Sequence, residues 1–138
     1  MTFSAVNYLA IVIAAAVAWL ASAAWYMSLS GLYTAALGKT PQQMAEDRKK
    51  PGPYVYALIA NVIIAWMLAG LLAHLGVGQV TLRNGVIAGA FLWFGFILTT
   101  MTVNYSFSGR DRRLLLIDLG NWLIVLLVIG AVIGVIGG

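Results

Sequence analysis

The chain has 138 residues, 62% of them hydrophobic and only 9% charged, with a mean hydropathy of +0.96. A soluble domain carries about 25% charged residues; eight basic and four acidic side chains cannot coat a watery surface, so a soluble globule and a disordered chain are both excluded. The chain has no cysteine and a single histidine, which removes disulfides, thiol catalysis and any His- or Cys-rich metal set. No metal and no cofactor is implied.

A hydrocarbon core of about 30 Å takes roughly 20 apolar residues of helix. Four stretches reach that length, at about 6–29, 54–75, 85–105 and 114–136, joined by short connections and one longer loop at 38–53. They predict an all-α fold: an integral membrane four-helix bundle forming a single transmembrane domain over 1–138. Barrel strands would alternate apolar and polar residues, whereas runs such as 11–18 are continuously apolar. Helices alone satisfy every backbone group inside lipid.

The first span opens near Asn7 and closes at Trp25-Tyr26. Ala14, Ala18, Ala21 and Trp25 share one stripe of it, the small-residue face that close helix packing uses. Ala21-Ser22-Ala23 has the look of a signal-peptidase site, but residues 1–8 carry no positive charge, so an uncleaved helix is expected. In the loop, Thr40-Pro41-Gln42-Gln43 reads as an N-cap, a first-turn proline and a capping-box glutamine. A short helix to about Lys50 follows, stopped by Pro51-Gly52-Pro53. With little beyond Met44 and Ala45 to bury, it reads as a solvated cap.

Asn61 lies about 10 Å into the second span from its basic end, and His74 falls at the other end as an interfacial residue. The third span carries Gly85 and Gly89 and ends near Asn104 and Tyr105. The fourth carries Asp118 and Asn121 on one face, then Gly130 and Gly134. Both glycine pairs have the spacing of membrane helix contacts. Trp25, Tyr26, Tyr33, Tyr54, Tyr56 and Tyr105 are expected to form an inner aromatic belt.

Basic residues set the orientation. Lys39, Arg48, Lys49 and Lys50 lie in the first connection and Arg110, Arg112 and Arg113 in the third, against Arg83 alone in the second. Lys and Arg mark cytoplasmic loops, so both termini are expected outside and both basic loops inside a bacterial inner membrane. Arg48, Lys49, Lys50, Arg110, Arg112 and Arg113 are then the contacts to anionic lipid. Nucleic acid is not an expected partner, because no extended basic surface stands off the membrane.

The halves of the chain echo one another. Ser28-Leu29-Ser30-Gly31 matches Ser106-Phe107-Ser108-Gly109, and Ala60-Asn61 matches Gly120-Asn121. Such matches suggest two tandem helical hairpins of one orientation, a parallel repeat.

Polar groups inside the spans carry most of the functional information. Asp118, Asn121, Asn61 and Asn104, with Trp25 and Tyr26, all fall toward the inner leaflet and form either a ligand-binding pocket or an inter-helix polar cluster. Asp118 is expected to point into the bundle, within reach of Asn61, Asn104 or a loop arginine, with Asn61 and Asn121 as possible partners across the repeat. An enzyme needs a nucleophile, a metal set or a paired acid and base; no motif supplies one, and no catalytic residue is assigned. The expected role is non-enzymatic: an accessory or scaffold subunit associating laterally with another membrane protein or itself, with membrane lipids around it. The alternative is a binder or transporter of a small molecule or lipid through an inner-leaflet pocket around Asp118.

With these residues in view, the chain resembles, nearly end to end, the small bacterial membrane-protein family known as domain of unknown function 1761. The resemblance rests on Asn7, on Trp25-Tyr26, and on the run from Gly95-Phe96 through Asn104, Phe107 and Arg110 to Ile117-Asp118. Ser28-Leu29-Ser30-Gly31-Leu32-Tyr33 stands where that family often has a Phe-Gly and a Trp. The resemblance implies a four-helix integral membrane protein and no established activity.

Overall fold

The structure, a computed structural model, describes residues 3–138, and the regular elements among them are all helices. In chain order these are α1 (Tyr8–Ser28), α2 (Ser30–Leu37), α3 (Pro41–Arg48), α4 (Gly52–His74), α5 (Leu82–Leu92), a π-helical segment (Trp93–Leu98), α6 (Thr99–Ser108) and α7 (Arg112–Ile136). Four rods, α1, α4, the continuous helix Leu82–Ser108 and α7, are long and apolar enough to cross a membrane.

The helix ends follow local chemistry. Asn7 caps α1 by accepting from the Ala10 N–H, and its amide donates to the Ile136 carbonyl at 3.1 Å, tying the start of α1 to the end of α7. Thr40 and Gln43 form the reciprocal capping box, with Pro41 in the first turn of α3. Asp111 caps α7 by accepting from the Arg113 N–H at 2.8 Å. Gly109 closes α6 with φ +66°, a conformation in which glycine avoids the Cβ clash.

The sequence gives no separate helix over residues 30–37, where α2 forms. The chain breaks at Leu29 (φ −110°, ψ 18°) and coils again as α2, which packs on α7 and buries Ala36. The loop helix α3 is shorter than expected, ending at Arg48, and is anchored by Met44, only 6% exposed.

The central rod is α7, which lies against α1, α4 and α5. Leu68 and Leu72 of α4 and Val125, Ile129 and Ile133 of α7 fill the core, interleaved with Ala14, Ala18 and Ala65. Ala14 and Ala18 are fully buried, so the small-residue stripe is a packing face. The two glycine pairs line one seam between α5 and α7, where Gly85 and Gly130 meet each other directly. A Cβ on Gly85 would sit 1.9 Å from the Gly130 carbonyl oxygen, one on Gly89 2.5 Å from that of Leu126, and one on Gly134 2.3 Å from that of Thr81. Backbones this close gain dispersion and weak polar contacts that larger side chains would forbid.

Beyond that crossing, Leu82–Ser108 hides little. Among the described residues its buried positions are Gly85 and Gly89 alone, and Phe91, Phe94, Phe96, Val103 and Phe107 all lie exposed.

Candidate functional site

Asp118 is the seventh residue of α7, about 10 Å from its start at 1.5 Å per residue. It points into the bundle, as expected, but tyrosines hold it. The Tyr26 hydroxyl donates to Oδ1 at 2.6 Å and the Tyr105 hydroxyl to Oδ2 at 2.5 Å. Tyr26 lies in the last turn of α1 and Tyr105 in the last turn of α6, so one carboxyl group joins three spans. Hydrogen bonds to a carboxylate are shorter and about twice as strong as neutral ones.

Two indoles complete a collar around the same turn of α7. Trp25 Nε1 donates to the Ile117 carbonyl and Trp93 Nε1 to the Leu119 carbonyl, each at 2.9 Å. A helix carbonyl has a second lone pair beyond its i+4 bond, so the indoles satisfy their donors without breaking α7. Gly120 provides the seat for Trp25: a Cβ there would meet the indole at 2.5 Å. Trp25 and Tyr26 are therefore inward-facing struts, not members of an interfacial belt.

The π-helical segment explains how Trp93 and Tyr105 reach the same partner. Twelve regular α-helical steps would leave them about 120° apart around the axis, whereas one residue absorbed by a π turn brings them within about 20°. Threonine hydroxyls add bonds to carbonyls of this segment: Thr99 donates to Gly95, Thr100 to Phe96 and Thr102 to Leu98, at 2.8, 2.5 and 2.6 Å. Such bonds keep the threonine hydroxyls satisfied within the helix itself, as lipid requires of polar groups in a span.

Around this cluster, Tyr33 of α2 packs edge-on to Tyr26 with ring centroids 4.9 Å apart. Arg110 lies over the Tyr105 ring, 5.2 Å from its centroid. Burial, and then the Asp118 charge, pushes the Tyr33 hydroxyl above its ordinary pKa.

The other expected members of the polar cluster lie elsewhere. Asn61, 2% exposed, donates from Nδ2 to the Ala15 carbonyl of α1 at 3.5 Å, a long bond. Asn121 is 6% exposed, and its Oδ1 has no partner among the described residues. The two asparagines do not bond each other, and neither bonds Asp118. Asn104 is exposed beside an open groove of about 320 Å³ with Thr99, Thr100 and Val103. It is one residue, about 100°, out of phase with Tyr105, so turning Tyr105 inward turns Asn104 outward.

No loop arginine reaches Asp118. Arg113 pairs with Asp111 at 2.7 Å and Arg110 covers Tyr105. In the first loop Lys49 pairs with Glu46 at 3.1 Å and Lys50 with Asp47 at 3.3 Å, and Lys39 also bonds Asp47. Those ammonium groups, Lys39 foremost and then Lys50, hold the Asp47 carboxyl below its usual pKa. Among the described residues no three His, Cys, Asp or Glu side chains come together as a metal set.

A family model described as "Protein of unknown function (DUF1761)" matches residues 9–134. The chain belongs to this family. No curated protein and no solved structure matches it. The DUF1761 match spans the whole collar, Trp25, Tyr26, Trp93, Tyr105 and Asp118.

Proposed function

We propose that this DUF1761 chain is a non-enzymatic protein of a bacterial inner membrane that acts as an accessory or scaffold subunit, associating sideways with a second membrane protein or another copy of itself. The observation that carries the reading is the outward face of Leu82–Ser108. That face combines exposed Phe96, Val103 and Phe107 with Thr99, Thr100 and Asn104, all left exposed by the described residues. Lipid tails satisfy the phenylalanines but not the Asn104 amide, and asparagine in a span favours a helix that can hydrogen-bond it.

The Asp118 collar supports the same reading. Both carboxylate oxygens already accept from tyrosines, and Asp118 does not line the groove beside Asn104. The geometry is that of an inter-helix tie, which favours structural use over a ligand pocket at this point. The tandem-hairpin reading draws its support from Asn61 and Asn121, each the tenth residue of its helix and each buried.

We place both termini outside and the α2–α3 loop with Arg110, Arg112 and Arg113 in the cytoplasm, on the Lys/Arg asymmetry. Single cysteines in this cysteine-free chain, Asp47→Cys and Gln79→Cys, read this with an impermeant thiol reagent. Labelling at 79 and protection at 47 in intact cells is expected; the reverse pattern refutes the orientation. Native mass spectrometry of the protein extracted in mild detergent tests the role. A stoichiometric second chain or second copy is expected, whereas a monomer carrying a bound small molecule other than phospholipid contradicts the proposal.

A further inference from the structure

Between α2 and α3 lies an open groove of about 450 Å³, in the size range of about 300–1,000 Å³ typical of small-ligand sites. Its polar wall carries Ser30, Thr34, Lys39 and Arg48, and its apolar wall includes Ala35 and Met44. Of the four cations of this loop, Lys39, Lys49 and Lys50 are already paired with Asp47 or Glu46. Arg48 has no carboxylate partner and no hydrogen-bond partner among the described residues, and the Ser30 hydroxyl donates to none of them. An open fork of guanidinium donors beside a free hydroxyl matches the oxygens of a phosphodiester. The groove also begins two residues beyond the end of α1 at Ser28, the depth at which a spanning helix meets the headgroup layer.

We infer that this groove is a binding site for the headgroup of an anionic phospholipid, with Arg48 as the principal phosphate ligand, Ser30 and Lys39 beside it, and Ala35 and Met44 receiving the apolar start of the lipid. Charge complementarity selects the phosphate, and the mixed wall at headgroup depth selects a lipid over a soluble anion. Asp47 does not repel it, because its charge is spent on Lys39 and Lys50. The inference concerns one groove on α2 and α3, separate from the lateral face of the third span, and its test in micelles is independent of both association and orientation.

The whole chain in neutral-detergent micelles is titrated with phosphatidylglycerol, with phosphatidylcholine and with glycerol 3-phosphate, and bound lipid is counted by native mass spectrometry. Phosphatidylglycerol is expected to bind in preference to phosphatidylcholine. Arg48→Gln should weaken it about tenfold, the worth of one charge-assisted contact, with little change in melting temperature, because Arg48 makes no hydrogen bond or ion pair among the described residues and only its last-turn charge on the short α3 is lost. Lys49→Gln removes an equal charge at the C-cap of α3, outside the groove and already paired with Glu46; against the expectation from charge alone that Lys49 contacts lipid as Arg48 does, it should weaken binding by less than about twofold. Equal losses for the two variants would mean a diffuse field and overturn the site. Equal binding of phosphatidylcholine would overturn the anionic preference. Displacement of bound lipid by stoichiometric glycerol 3-phosphate would make it a site for soluble phosphate esters and overturn the lipid assignment.

Discussion

Replacing Gly85 by alanine tests whether the α5–α7 crossing holds the third span to the bundle. The new Cβ would lie 1.9 Å from the Gly130 carbonyl oxygen, where ordinary contact begins at 3.4 Å. The obstruction is backbone on a rigid helix, so no rotamer change relieves it. The helices must part by roughly 1.5 Å, a gap wide enough to forfeit half or more of each dispersion contact along the seam. Overpacking of this kind costs about 3 kcal/mol, against about 1 kcal/mol gained from the helix preference of alanine, a net loss of about 2 kcal/mol. Gly95 of the same span is the matched control, because a Cβ there meets nothing within 4 Å. Gly95→Ala should be neutral or gain up to about 1 kcal/mol, leaving the two variants about 2–3 kcal/mol apart. Unfolding in mixed micelles by titrated dodecyl sulfate, followed by far-ultraviolet circular dichroism, measures the difference. Equal stabilities for the two alanine variants would refute the crossing.

Three further outcomes follow from the polar groups. Asp118→Asn keeps an acceptor for one tyrosine and offers an N–H to the other hydroxyl, so it should cost less than about 1 kcal/mol in the same assay. Asp118→Leu strands both phenols and should cost about 1–3 kcal/mol; an Asn variant as damaged as the Leu variant would contradict the tie. Asn121→Leu removes a buried carbonyl oxygen without a partner and should leave stability unchanged or raised, and a loss above about 1 kcal/mol would show an interaction that the structure lacks. The Asp47 carboxyl is lowered from its ordinary 3.8, so its contribution is fully present above that value and disappears as pH falls through the lower folded value. Amide exchange of α3 should therefore quicken only on acidification below about pH 4, and unchanged protection there would count against the Lys39–Asp47 pair.

The spans were legible because hydropathy and length decide them: four apolar runs of the right size can satisfy their backbones only as helices. The capping box at Thr40 and Gln43 was legible because it is local. Ala36 gives no such local sign, because α2 depends on packing against α7. Asp118 could be placed facing inward from its cost in lipid, but its partners could not be named. Tyr26 and Tyr105 lie 92 and 13 residues from it in sequence, and only the order of helices around α7 brings them together. Asn104 was expected in the cluster in place of its neighbour Tyr105. A single π turn between Trp93 and Leu98 sets that phase, and its nearest sequence trace is the run of hydroxyls at Thr99, Thr100 and Thr102.

Disulfide trapping in native membranes reaches the proposed lateral association most directly. Val103→Cys places a thiol on the outward face of α6, and Ile63→Cys places one on the exposed face of α4, at 53% and 51% exposure. On mild oxidation, the chain carrying Val103→Cys should give a crosslinked species of defined mass, a dimer or a single hetero-partner adduct, while the chain carrying Ile63→Cys stays monomeric. Equal crosslinking at both positions, as random collision would give, or none at 103, would contradict the account.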